Sequence, residues 1–329
     1  MLTDSELARA GAGGAIGPAI TPTGVAASAI SAVFFLDASN GWAGLRAANR
    51  SKRGSELTVW RTSDGGSTWE SATLRASAAA PDVGSLRFVD AAHGFFFTGL
   101  EGLLGAGELY RTRDGGATWA KGSIPLGSRG VSFLTASNGF SPGGQQLERL
   151  YETTDGGSSW RELRLPPPPG LARAGVAYGL PTFVDVRVGV LPTTIVPRNG
   201  APTVAFYQTR DSGKSWSLAA VRAFPEEEGA LGGGVVMPTA VVDAKTWLVA
   251  DPSGRGLSST SDGGRSWRTA VPHGLGDGAE TLDFASPSRG WSLVGHGDCE
   301  GTDKASANCV YVHEGRSSGD GGQTWEPIR

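Results

Sequence analysis

No run of about 18 apolar residues occurs in this chain, and apolar stretches such as Ala27–Leu36 are too short to cross a bilayer as a helix. The chain is therefore read as not membrane-spanning. Only two cysteines are present, Cys299 and Cys309. Their spacing suits a local disulfide, which belongs in an oxidising compartment, and does not supply a four-ligand metal site. The four histidines, His93, His273, His296 and His313, show no metal-ligand spacing among themselves. No Ser-His-Asp or Cys-His arrangement is present, and Gly232–Gly234 lacks the Lys-Ser/Thr that completes a phosphate loop. No catalytic, metal-binding or cofactor-binding residue is assigned on this evidence. Net charge is also missing: 29 basic against 32 acidic residues leave −3, so nothing global draws nucleic acid or an anionic membrane. Met1 to Ile20 carries Asp4 and Glu6 and has no apolar core behind a basic start, so it does not read as a signal peptide.

What the chain has instead is glycine, 51 residues of it, with 19 prolines and 10 tryptophans. That profile suits many short strands joined by tight turns. One short string recurs six times: Thr62 to Trp69, Thr112 to Trp119, Thr153 to Trp160, Thr209 to Trp216, Thr260 to Trp267 and Ser318 to Trp325. Each copy has an aspartate two residues in: Asp64, Asp114, Asp155, Asp211, Asp262 and Asp320. Such an aspartate folds its carboxylate back onto following amides, the glycines permit positive φ, and the closing tryptophan is expected to bury its ring between neighbouring sheets. The six aspartates are read as turn staples, not as acids or metal ligands.

A second pattern precedes every box. Phe35-Leu-Asp37 runs to Gly41-Trp42, Phe88-Val-Asp90 to Gly94-Phe95, Phe133 to Gly139-Phe140, Phe183-Val-Asp185 to Gly189-Val190, and Phe284 to Gly290-Trp291. In the fifth copy Val241-Val-Asp243 runs to Trp247 without the glycine, which is expected to shorten the turn. Two strands around this turn and two around the box make a four-stranded unit. Its recurrence, at Trp-to-Trp spacings between 41 (Trp119 to Trp160) and 58 (Trp267 to Trp325), predicts an all-β, six-bladed propeller of antiparallel blades. The alternative is a seven-bladed ring. Residues 25–329 are read as one propeller domain. Residues 1–24 are expected to close the ring, because little chain remains after Trp325 for an outer strand.

The box resembles the Asp-box, or bacterial neuraminidase repeat, of sialidases, xyloglucan-cleaving glycosidases and sortilin-type receptors. The combined unit, Phe-x-Asp-x-x-x-Gly-Trp followed by Thr-x-Asp-Gly-Gly-x-Thr-Trp, is similar to propellers of the photosystem II stability and assembly factor group, which includes many exported bacterial proteins. That resemblance implies a secreted, periplasmic or cell-envelope location, with any signal peptide already removed from the chain as given. Sialidases also carry an Arg triad, a Tyr–Glu nucleophile pair, an acid Asp and a Phe/Tyr-Arg-Ile-Pro motif. That motif is absent; Arg222-Ala-Phe-Pro225 has the wrong order. Tyr311 with Glu314 is the nearest approach to the nucleophile pair, and it reads as an ordinary strand tyrosine, since Tyr110, Tyr151 and Tyr207 hold similar pre-box positions.

Because both turn types lie at one end of each unit, the connections at the other end are the place for function, as the resemblance to sialidases also implies. The span from repeat glycine to box aspartate is 16 residues in the third unit, Gly139 to Asp155, and 30 in the last, Gly290 to Asp320. The last insertion, His296 to Cys309, is polar and is expected to be loose unless its cysteines pin it. The first unit's insertion carries Arg46, Arg50, Lys52 and Arg53, a basic cluster that suits a carboxylate, a sulfate or an acidic partner. Pro166–Pro169 reads as a stiff extended strut, and Glu226–Glu228 as a solvated acidic run. The function expected is a monomeric, non-catalytic, exported module that binds a protein or a glycan or assists assembly. The alternative is a glycoside hydrolase whose carboxylates converge on the central channel from different blades.

Overall fold

In a computed structural model the chain is described over residues 30–45, 50–51, 54–76, 83–98, 107–197, 202–225, 235–252, 256–275, 279–300 and 308–328, together with Pro22 and Val25. The fold is all-β, a six-bladed propeller of four-stranded antiparallel blades. The first sheet holds β1 (Ile30–Phe35), β2 (Gly41–Leu45), β4 (Gly54–Thr62) and β5 (Glu70–Ala76), with the short β3 (Arg50–Ser51) added on β4. The second runs β6 (Val83–Phe88), β7 (Gly94–Thr98), β8 (Leu109–Thr112), β9 (Ala120–Lys121), and the third β10 (Ser132–Phe133), β11 (Gly139–Gly143), β12 (Arg149–Thr153), β13 (Arg161–Leu163). The fourth is ordered β14 (Gly175–Tyr178), β16 (Gly189–Val196), β17 (Thr203–Thr209), β18 (Ser217–Ala223), with β15 (Thr182–Phe183) as an extra member. The fifth is β19 (Thr239–Val241), β20 (Trp247–Ala250), β21 (Leu257–Thr260), β22 (Arg268–Ala270), and the sixth β23 (Asp283–Phe284), β24 (Gly290–Glu300), β25 (Asn308–Ser318), β26 (Glu326–Pro327). The two residues of β26 supply the outer strand of the sixth sheet; the proposed ring-closing segment lies almost wholly outside the described residues.

The chain forms two compact units, Thr3–Pro167 with Val176–Val186, and Pro168–Gly175 with Arg187–Arg329 and Met1–Leu2. In the first unit the strand following each glycine turn carries an aromatic that meets the next blade. Trp42 stacks on Phe88 and Phe95 on Phe133, each pair with centroids 3.5 Å apart and rings nearly parallel. Leu57, Val59, Leu86 and Phe96 complete a hydrophobic core there. In the second unit Phe206 stacks on Trp247 at 4.8 Å, beside Val190, Val204 and Val249, and a further cluster gathers Leu248, Leu257, Phe284 and Trp325. Truncating an aromatic buried like these costs about 3–5 kcal/mol.

Burial corrects one expectation. Of the box tryptophans only Trp216 and Trp325 are buried, and the other four are half-buried. Trp42, Trp247 and Trp291, at or just after the repeat-glycine position, are all buried. The fifth turn is also not short. Val241 pairs with Trp247 across the same five intervening residues that separate the paired Phe35 and Gly41, so Trp247 occupies the glycine position. Phe133, like Phe35, lies over its paired glycine, whereas Val241 has no ring to cover one, and the position is free to hold a large side chain.

Candidate functional site

The two turns of each blade are tied to one another. The amide at the first glycine position donates to the strand-one turn: Gly65 to Ser39, Gly115 to Ala92, Gly156 to Ser137, Ser212 to Arg187, Gly263 to Lys245 and Gly321 to Ser288, all at 2.8–3.0 Å. Both turns therefore sit at the same end of the blade. Ser212 takes the glycine place at φ 67°, a left-handed conformation for which glycine is the usual residue.

At this end the aspartates are saturated by their own turns. Asp64 accepts the Thr62 hydroxyl at 2.8 Å, the Thr68 amide at 2.8 Å and the Thr68 hydroxyl at 2.7 Å. Asp114, Asp155, Asp211, Asp262 and Asp320 accept the equivalent three bonds. The hydroxyl four residues on, that residue's amide and the preceding threonine hydroxyl hold Asp64 and Asp211 down to about 2. The same bonds hold Asp155 and Asp262 below the usual carboxylate range. A carboxylate held ionised with its oxygens occupied by its own turn is poorly suited to donate a proton or to recruit a metal. Among the described residues no group of three or more His, Cys, Asp or Glu is placed to hold an ion.

The second box glycine has a task that the sequence did not disclose. A β-carbon on Gly116 would stand 3.2 Å from the Trp42 indole nitrogen, one on Gly157 2.6 Å from Leu109, and one on Gly322 2.5 Å from Leu257. The neighbouring blade presses directly on the box. Trp42 also donates its indole N–H to the Gly115 carbonyl at 2.8 Å, and Arg61 and Arg111, just before their boxes, donate to carbonyls of the next one.

The opposite ends of the blades are unlike one another. The third blade crosses from Gly143 to Arg149 by a compact turn in which Leu147 adopts φ 57° and the Glu148 carboxylate accepts the Gln146 amide at 2.9 Å. In the first blade Arg50 lies in β3, with Arg50 paired to Ser55 and Ser51 to Gly54; Arg46, Lys52 and Arg53 lie outside the described residues. In the sixth blade the stretch expected to be loose unless its cysteines pin it is paired at both ends, His296–Glu300 against Asn308–Val312. β24 and β25 pair along eleven residues each, from Gly290 with Ser318 to Glu300 with Asn308, and Cys299 stands opposite Cys309.

Buried polar groups also lie at this end. Glu108, at the mouth of β8, is 6% exposed, accepts the Tyr110 hydroxyl at 2.9 Å and pairs with Lys121, while its amide donates to Thr98 at 2.7 Å. Tyr110 is 4% exposed, and burial followed by the Glu108 bond pushes its phenol up, away from a nucleophilic state. At the site considered from sequence, Glu314 accepts Arg316 at 2.7 Å. In the other unit Arg222 reaches from β18 to Ser258 and Thr269 of the fifth blade, at 2.8–3.2 Å, over the Phe224 ring. Arg222 is a clamp between blades. No described helix is long and apolar enough to cross a membrane.

No family model matches the chain, and no curated protein does. Solved structures similar to it include YCF48 from Cyanidioschyzon merolae, 16% identical over 74% of this chain and 83% of that one, TM-score 0.43. An α-L-arabinofuranosidase from Fusarium graminearum is 13% identical over 83% of this chain and 90% of its own, TM-score 0.49. AofleA from Arthrobotrys oligospora is 13% identical over 88% and 82%, TM-score 0.44.

Proposed function

We propose that this chain is a non-catalytic, exported propeller that binds a protein or a glycan through the blade ends opposite the box turns. The observation that carries the reading is the contrast between the two ends of the blades. One end repeats the same saturated turn six times, whereas the other ranges from the compact Gly143–Arg149 crossing to the eleven-residue strands of β24 and β25. A scaffold held constant at one end and varied at the other is how a binding face is built on a repeat fold. On this reading residues 25–329 act as one domain, and the basic segment around Arg50 recognises a carboxylate, a sulfate or an acidic partner.

Export rests on a disulfide between Cys299 and Cys309. The register parity supports it. Leu293 turns its backbone toward β23, donating to Thr281 and accepting from Glu280, and its partner Gly315 accepts from Ile328 on the far side. Leu293 with Gly315 is thus a non-hydrogen-bonded pair, and six residues along so is Cys299 with Cys309. Such pairs bring Cα atoms to about 4.5 Å, within disulfide reach.

The test is binding of the purified, oxidised chain to a glycan array and to its native envelope fraction, beside a variant in which residues 296–309 are replaced by a two-residue turn. Specific binding lost in the variant supports the reading. Equal binding by both, or turnover of fluorogenic glycosides, overturns it.

A further inference from the structure

The sixth blade carries an edge that its own sheet leaves uncovered. β24 covers all eleven residues of β25, but β26 reaches only Arg316 and Ser317, and the Ile328 amide adds Gly315. Among the described residues no strand pairs with the outer side of β25 from Asn308 to His313. Gly315 presents its carbonyl on that outer side, and backbone groups alternate along a strand. His313, Tyr311 and Cys309 therefore turn both N–H and C=O outward.

We propose that this edge is a self-association surface on which a second copy of the chain lays the same segment, antiparallel and centred on Tyr311. The sequence around Tyr311 is nearly symmetric, Cys309-Val310-Tyr311-Val312-His313. Antiparallel pairing about its centre sets Tyr311 against Tyr311 of the second copy, Val310 against Val312 and Cys309 against His313. No like charges meet. A twofold interface needs this self-complementarity, because the same patch faces itself. Valine and tyrosine favour strand pairing, and the segment has none of the lysines or prolines that blunt exposed edges. The other edge of the ribbon, Gly295 to Glu300, holds two glycines and two acids among its six residues, and both kinds disfavour pairing. A two-stranded ribbon is marginal in water, whereas pairing makes it half of a four-stranded sheet. The occupant is thus a second copy, in place of the monomer expected from the sequence. The inference does not rest on the ligand-binding reading.

Sedimentation equilibrium of the full oxidised chain tests it, with Tyr311→Pro as the variant. Because the Tyr311 N–H points outward, proline there removes an edge donor and no bond to β24. The wild type is expected at twice the chain mass, and Tyr311→Pro at the chain mass with an unchanged melting temperature. Wild-type protein that stays at the chain mass at every concentration, or a variant that remains at twice that mass, overturns the proposal. Should the variant misfold, hydrogen exchange on the wild type decides. Protection of the Tyr311 amide is expected to fall on dilution, and exchange independent of concentration overturns the proposal.

Discussion

The ring of Phe133 lies so close over its cross-strand partner Gly139 that a β-carbon on the glycine would stand 2.6 Å from it. Phe133 cannot swing clear, because its other face is stacked on Phe95 at 3.5 Å. Gly139→Ala is therefore expected to destabilise by about 1–3 kcal/mol, the usual cost of overpacking. Pairing it with Phe133→Val, as the fifth blade pairs Val241 with Trp247, should recover part of the clash term. Urea unfolding of the two single variants and the double variant measures the coupling, and strict additivity would contradict the steric account.

The box aspartates predict an acid limb. A carboxyl whose folded pKa lies below its unfolded value contributes stability that is complete above the unfolded value and lost as pH falls through the folded one. For Asp64, Asp114, Asp211 and Asp320 that window runs from the ordinary 3.8 down to about 2. The melting temperature should hold through mildly acidic pH and then drop across that window. Asp211→Asn should lower it at pH 7 and flatten the acid slope. An unchanged slope would show that the turn hydrogen bonds do not favour the ionised form.

Removing the Glu108 carboxylate leaves the buried Tyr110 hydroxyl without its acceptor. Glu108→Ala should cost about 1–3 kcal/mol, as an unsatisfied buried polar group does. Adding Tyr110→Phe should return part of the loss. A Glu108→Ala variant as stable as the parent in chemical denaturation would place this pair outside the folding energetics.

Cys299 and Cys309 are expected to resist alkylation in the unfolded but unreduced chain and to react fully after reduction. Labelling of either without reductant would remove the disulfide and, with it, the main support for export. Deletion of residues 1–24 should lower the melting temperature by several degrees if that segment closes the ring, and an unchanged melt counts against closure.

The blades were legible from sequence because the box spells out its own turn: an aspartate acceptor, a hydroxyl four residues later, and glycines where φ is positive. All of these bonds span four residues or fewer. What the sequence concealed depends on contacts between blades. Both glycines of a box adopt positive φ, and nothing local shows that the second is also needed because Trp42, Leu109 or Leu257 of the neighbouring blade presses against it. Nor does composition reveal that Trp42 and Trp247 sink deeper than most of the box tryptophans, or that His296–Glu300 pairs with Asn308–Val312. The candidate face was read from connection lengths alone, and three of its four basic residues lie outside the described structure.

The bond from the Gly65 amide to the Ser39 carbonyl joins two turns of one blade, and its five counterparts do the same. Each blade is thereby closed by pairings that span only a few dozen residues. Order can then begin in whichever blade leaves the ribosome first, without waiting for the final strand, and the slow step falls to the docking of one blade on the next. On that view Trp42 and Phe95, which meet the following blade, should govern the folding rate, and the aspartates that complete each turn should govern how quickly the native state comes apart.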